Sequence, residues 1–239
     1  MFQLRSRLAV ALGAAIVAAA ALAVPAGALG PSGVVWVAHG IPGVKVDVCV
    51  NGATARADFR YGNRFRADVP ALTPLRVKVR AHVAGDPCTG AVLIREILSV
   101  EPGANVTALA TLRAGEPRIV TWANNALLTT CVPTLTTVTV HHQAKAGPML
   151  FVLTDGAIPL PVGVGGAIGV QVPRFGTVGP IPVMPGPNLV AAAPLLGQTP
   201  TIPPSIRVFA DLTDYQLVLV GTNADNYRWI RYGNPTNDC

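Results

Sequence analysis

The feature that most constrains this chain is an alternation of period two that sets in after Ser32. Leu75, Val77, Val79, Ala81 and Val83 are separated by Arg76, Lys78, Arg80 and His82. Val44, Val46, Val48 and Val50 alternate in the same way with Lys45, Asp47 and Cys49. Phe65, Ala67 and Val69 do so with Arg64, Arg66 and Asp68. Successive side chains of an extended segment point to opposite faces, so each run sends one set into a core and the other toward water. β-branched residues dominate the apolar set, as a half-buried pleated surface favours.

Turn chemistry separates the runs. Asn51-Gly52 follows the valine strand and suits a tight hairpin, because Asn and Gly accept positive φ. Gly85-Asp86-Pro87 and Glu101-Pro102-Gly103 mark further turns. Ala91 to Val100 reads as one more strand, with a helical turn as the alternative. Short strands punctuated this closely indicate β-sandwiches rather than a helical or α/β fold.

The second half echoes the first. Val35-Trp36-Val37-Ala38-His39 returns as Val138-Thr139-Val140-His141-His142, each followed by a Gly/Pro turn. Val50-Asn51-Gly52 matches Thr154-Asp155-Gly156, Ala67-Asp68-Val69-Pro70 matches Val170-Gln171-Val172-Pro173, and Asn105 to Leu109 matches Ser205 to Phe209. A repeat this long means tandem domains, since solenoid units are far shorter. The expectation is an all-β chain of two tandem antiparallel β-sandwich, immunoglobulin-like domains, at 33–126 and 135–239. The second is the more degenerate, with Pro/Gly-rich loops.

The stretch from Val35 to Gly52, together with Val100-Glu101-Pro102-Gly103-Ala104-Asn105-Val106-Thr107, resembles the bacterial "domain of unknown function 4397" family. The resemblance is good over Gly33 to about Asn125 and looser over Leu135 to about Val220. It implies tandem exported β-sandwiches and carries no chemistry. Ala71-Leu72-Thr73 stands where the family usually has Ala-Gly-Thr.

Residues 1–28 have the order of a secretory signal peptide. Arg5 and Arg7 precede an apolar run from Leu8 to Val24, Pro25 breaks it, and Ala26-Gly27-Ala28 supplies the small-residue cleavage site. A retained membrane anchor is the alternative for the same run. No later stretch reads as a span, because Pro and Gly interrupt each one. The expected location is secreted or at the cell envelope, where cysteines oxidise. Cys49 and Cys88 fall in the first domain and Cys131 and Cys239 bracket the second, so pairing within domains gives Cys49–Cys88 and Cys131–Cys239. The first bridge is expected to tie the Gly85–Gly90 loop onto a strand.

Catalytic patterns are lacking. There is no G-x-S-x-G elbow, and Ser32, Ser99 and Ser205 are the only serines after the signal segment. His141 and His142 point to opposite faces of a strand, so they do not readily join one metal site, and no cofactor motif is present. Asp211 and Asp214 are the nearest acidic pair. An exported hydrolase with a site in the second-domain loops is the alternative function.

Two surface features suggest binding. Arg64, Arg66, Arg76, Lys78 and Arg80 would form one positive stripe if their strands were neighbours, fitting an anionic envelope polymer or glycan; a solvated sheet face with partners such as Asp58, Asp68 and Glu101 is the alternative. Tyr227 and Trp229, with Arg231, share a strand face that could contact a sugar ring or another surface protein, or that belongs to the closing edge strand of the second domain. Nucleic acid is disfavoured, because few aromatics interleave with the basic residues. The expected function is therefore a non-catalytic binding or structural module.

Overall fold

The computed structural model describes residues 31–124, 136–155, 167–183, 185–194, 202–210 and 213–235. The expected signal segment, Cys131, Cys239, Asp211 and Gly156 lie outside the described residues. Pro31–Cys239 form one compact unit. Among the described residues there is no α-helix. The elements are strands and a single 3-10 turn, Ala224–Asn226.

Eight strands build the first sandwich. β1 (Ser32–His39), β4 (Arg64–Pro70), β7 (Asn105–Arg113) and β8 (Glu116–Ala123) form one sheet in the order β4-β1-β7-β8. β2 (Val46–Val50), β3 (Ala53–Phe59), β5 (Leu75–Ala81) and β6 (Val92–Leu98) form the facing sheet, β3-β2-β5-β6. The second sandwich repeats this with eight more strands. β9 (Thr136–His142), β12 (Thr177–Val183), β15 (Thr213–Val220) and β16 (Arg228–Pro235) are ordered β12-β9-β15-β16. β10 (Met149–Asp155), β11 (Ala167–Val172), β13 (Gly186–Pro194) and β14 (Ile202–Phe209) are ordered β11-β10-β13-β14. Adding eight to every strand number converts one set of sheets into the other.

The topology corrects the sequence alignment at two places. Ala67–Pro70 lies on β4, whose counterpart is β12, whereas Val170, Gln171 and Val172 belong to β11. Asn105–Leu109 opens β7, the counterpart of β15, whereas Ser205–Phe209 belongs to β14. Short apolar runs of period two resemble one another wherever they sit, so a four-residue match does not fix strand identity. Pairing is also not antiparallel throughout. β1 pairs parallel to β7, and β9 parallel to β15.

Alternation places the core as expected along β5. Leu75, Val77 and Val79 are buried with Val46, Val48, Phe59 and Ile94 between the facing sheets. Val83 departs from the pattern, because the strand ends at Ala81 and the loop carries Val83 into solvent at 41% exposure. On β2 the side opposite the valines is not wet. Asp47 and Cys49 are buried, covered by the loop that follows β5. Asn51 and Gly52 take positive φ in the β2–β3 hairpin. Leu72, at the turn where the resembled family has Gly, takes φ 60° and is exposed.

The sandwiches meet through equivalent sheets. The outer face of β4-β1-β7-β8 gives Ala38 and Leu109, and the outer face of β12-β9-β15-β16 gives Val218, Val220, Ile230 and Tyr232, all buried together. Burial of each of Leu109, Val218, Val220 and Ile230 contributes about 1.5–3 kcal/mol. Trp36 stacks on Tyr232 with ring centroids 5.1 Å apart, and Trp122 stacks on His141 at 4.2 Å. Several polar groups in this seam bond across strands. Thr107 reaches both Asn124 and the Tyr232 hydroxyl, and Thr137 donates to Asp214 at 2.9 Å. Among the described residues, the seam leaves one outer sheet face uncovered on each sandwich.

Candidate functional site

The free face of the first sandwich carries β5's charged set. Its alternation buries Leu75, Val77 and Val79, so Arg76, Lys78 and Arg80 must stand on the outer side. The neighbours continue the face. Lys78 lies directly opposite Arg95 of β6 and opposite Cys49 of β2. Arg76 lies opposite Ile97, and Arg80 opposite Asp47. Arg76, Lys78, Arg95, Glu96 and Ile97 line a shallow depression of about 520 Å³.

Like charges directly across an antiparallel pair repel, at a cost of a few tenths to about 1 kcal/mol. Neither Lys78 nor Arg95 has an ion pair with a carboxylate among the described residues, although other cations of this domain do. Asp58 is shared by Lys45 at 3.1 Å and Arg60 at 2.9 Å, and Arg66 pairs with Asp68 at 2.9 Å.

The expected stripe is therefore divided. Arg64 and Arg66 lie on β4, in the other sheet of the sandwich, and do not join Arg76, Lys78 and Arg80. β4 pairs with β1, not β5, and alternation along a strand carries no information about its lateral neighbour. Arg64 sits near the seam, where burial and the Arg231 charge lower its pKa. Arg80 has a different task from Lys78. Its guanidinium donates to the Gly90 carbonyl at 2.7 Å and holds the following loop.

That loop is clamped at three more points. The Cys49–Cys88 disulfide joins it to β2, with Cα atoms 6.1 Å apart. Closing 39 residues stabilises the fold by about 4 kcal/mol in the chain-entropy model. The buried Asp47 carboxylate accepts the Cys88 amide at 3.0 Å, the Asp58 amide at 3.1 Å and His82 Nδ1 at 2.7 Å. Burial pushes the Asp47 pKa up, but the bonds from Cys88, His82 and Asp58 outweigh it and hold the carboxyl below its ordinary range. The clamp gives the basic face a fixed rim.

The remaining candidates are structural. Tyr227 and Trp229 are half-buried and pack against the second core, where Trp229 meets Phe151 edge-on at 5.3 Å. They do not form an open aromatic ladder, because β16 turns this set of side chains inward. Arg231, on the same side, lies over Tyr215 and donates to the Val208 carbonyl. His39 and His142 occupy equivalent strand ends and do the same work. Each Nε2 donates to a carbonyl five residues on, Val44 at 3.0 Å and Gly147 at 2.8 Å. Burial lowers both pKa values. His141 instead faces the seam, bonded to Thr177 and Gln216, and burial lowers its pKa to about 4. Asp214 is buried there, accepting from Thr137 and Gln216. Among the described residues no three His, Cys, Asp or Glu side chains converge as metal ligands.

Sequence reasoning missed Arg95, Ile97 and the Asp47 clamp. Arg95 was visible only as one charge in an ambiguous segment, and its register against Lys78 is a tertiary fact.

No protein-family model and no curated protein matches this chain. Among solved structures, it is similar to a carbohydrate-binding module of family CBM26 from Eubacterium rectale Amy13K, solved in complex with maltoheptaose. The match covers 86% of this chain and 97% of that one, at 12% identity and a TM-score of 0.24. At that identity and score the likeness assigns no ligand.

Proposed function

We propose that this protein is a non-catalytic binding module of the cell envelope or exterior that holds an anionic ligand on the outer face of β3-β2-β5-β6. The observation that carries the proposal is the juxtaposition of Lys78 and Arg95, flanked by Arg76, without a pairing carboxylate among the described residues. Such a face is under strain in the free protein and is relieved by a ligand with closely spaced negative charge. An exported location is part of the same proposal. It rests on the Leu8–Val24 run and the Ala26-Gly27-Ala28 site, and it makes an anionic envelope glycan or polymer the natural partner.

The experiment is binding of the whole chain to dextran sulfate and polygalacturonate at rising salt. Binding at low salt that weakens as salt screens the charges is the expected result. The triple variant Arg76→Gln, Lys78→Gln, Arg95→Gln abolishes it, and Arg66→Gln on the other sheet leaves it unchanged. Absence of binding to either polymer, or equal binding by the triple variant, overturns the proposal.

A further inference from the structure

Ile97 belongs to two depressions. On one side it borders Arg76, Lys78 and Arg95 on the basic face. On the other it borders a cleft of about 340 Å³ whose lining includes Leu98, Ser99, Val106, Ala108, Thr121 and Trp122. The cleft lies at the side of the first sandwich, beside the edge strands β6 and β8. Its floor is the buried cluster of Val35, Val100 and Ala108. Ile97 itself is 68% exposed, a large apolar side chain standing between a charged surface and an apolar recess.

We infer that the ligand of this face is an anionic amphiphile. Its acidic head group, a phosphate or carboxylate, lies on Lys78, Arg95 and Arg76. A single acyl chain runs past Ile97 into the cleft between β6 and β8. The inference rests on the basic face being the binding site, as proposed above, and adds what the ligand carries behind its charge.

Three physical arguments converge. The positive charge sits at one end of the path and not within it, which matches a molecule whose charge is terminal. The apolar surface that the partly buried Leu98, Val106 and Trp122 offer to the cleft gains free energy when an alkyl chain replaces water. The volume lies at the low end of the range for small-molecule sites, roughly 300–1,000 Å³, which admits one chain and not two. A sugar ring without a chain has less to hold it, because Trp36 and Trp122 are engaged in the seam and Trp229 in the second core. Glu96 is the one carboxylate lining the basic depression. It repels an acidic head, so the head is expected on the Lys78 side of Arg95.

Calorimetric titration of the whole protein with hexyl, octyl, decyl and dodecyl phosphate below micelle formation tests the inference. Alkyltrimethylammonium ions of the same lengths and inorganic phosphate serve as comparisons. Affinity is expected to rise about fourfold per buried methylene and to level off once the cleft is filled. Inorganic phosphate binds weakest and the cationic series does not bind. Lys78→Gln with Arg95→Gln lowers affinity for every alkyl phosphate by a similar factor, tenfold or more. Ser99→Trp, which narrows the cleft and lies off the basic face, flattens the chain-length series and leaves dextran sulfate binding intact. A chain-length series that is flat in the unmodified protein overturns the acyl inference, and retained dextran sulfate binding then leaves the basic-face proposal standing. Loss of both removes the two together. Equal binding of the cationic series also overturns it.

Discussion

His141 sits where two sandwiches meet, and its burial makes the whole fold sensitive to mild acid. The imidazole is 3% exposed. Thr177 Oγ1 lies 2.8 Å from Nδ1 and Gln216 Oε1 lies 2.7 Å from Nε2. Since the amide oxygen only accepts, Nε2 carries the proton and Nδ1 accepts from Thr177. Gln216 in turn donates to Asp214 at 2.6 Å, and Trp122 covers the ring. The neutral ring is thus fully bonded, and charging it means placing a cation in the seam. Burial lowers its pKa from 6.5 to about 4, with the Gln216 bond opposing the shift in part. In the unfolded chain the same group titrates at its ordinary value. Between those two pH values the unfolded state holds a proton that the folded state lacks, so stability is full above 6.5 and is lost as pH falls toward 4. At 1.36 kcal/mol per unit this amounts to about 3 kcal/mol, a large share of the roughly 5–15 kcal/mol typical of a domain. Urea unfolding at several pH values from 7 to 4, for the unmodified protein and for His141→Gln, isolates this contribution from the smaller ones of His39 and His142. The unmodified protein is expected to lose about 3 kcal/mol more than the variant over that range. Parallel pH profiles would refute the argument, as would a His141 resonance that titrates near 6.5 in the folded protein.

Four further outcomes are expected. Asp47→Asn removes a charged acceptor from the Cys88 and Asp58 amides and costs about 2 kcal/mol at neutral pH, measured by denaturant midpoint. Because the folded carboxyl titrates below its ordinary range, that stability is present above the unfolded pKa and vanishes as pH falls through the folded one. The variant and the unmodified protein therefore converge in acid. Gly40→Ala places a Cβ 2.9 Å from Val220 Cγ1 and 3.1 Å from the Ala110 carbonyl, and this wedge in the seam lowers stability by about 1–3 kcal/mol. Leu72→Gly relieves positive φ at an exposed turn and raises stability by about 0.5–1 kcal/mol in thermal unfolding. Lys78→Glu creates an attractive pair with Arg95 and stabilises the fold by about 0.2–1 kcal/mol, yet abolishes polyanion binding, a divergence that an unfolded or merely weakened variant does not produce.

Alternation made strands, core faces and fold class legible, because side-chain direction in an extended chain is a local property. What failed was non-local. Asp47 occupies the side of β2 that alternation assigns to water, and it is buried under a loop more than thirty residues later, the loop that the expected Cys49–Cys88 bridge ties down. Arg64 and Arg76 each have the orientation their strands imply, but the sheet to which a strand belongs depends on pairings between distant segments, such as β1 with β7. The histidine repeat was legible at single-residue scale: the echo sets His39 against His142, and the two make matching bonds to Val44 and Gly147. In the candidate site, Lys78 could be named from sequence, whereas its opposition to Arg95 and the cleft beyond Ile97 required the fold.

The seam has one more implication. Corresponding sheets from the two halves face each other, which is how identical subunits associate about a twofold axis. Joining them in one polypeptide makes that association independent of concentration. It also frees the two outward surfaces from being alike: one now bears Arg76, Lys78 and Arg95, and the other bears Ile206 and Val208 in solvent. A pseudo-symmetric chain has in this way acquired two chemically different ends.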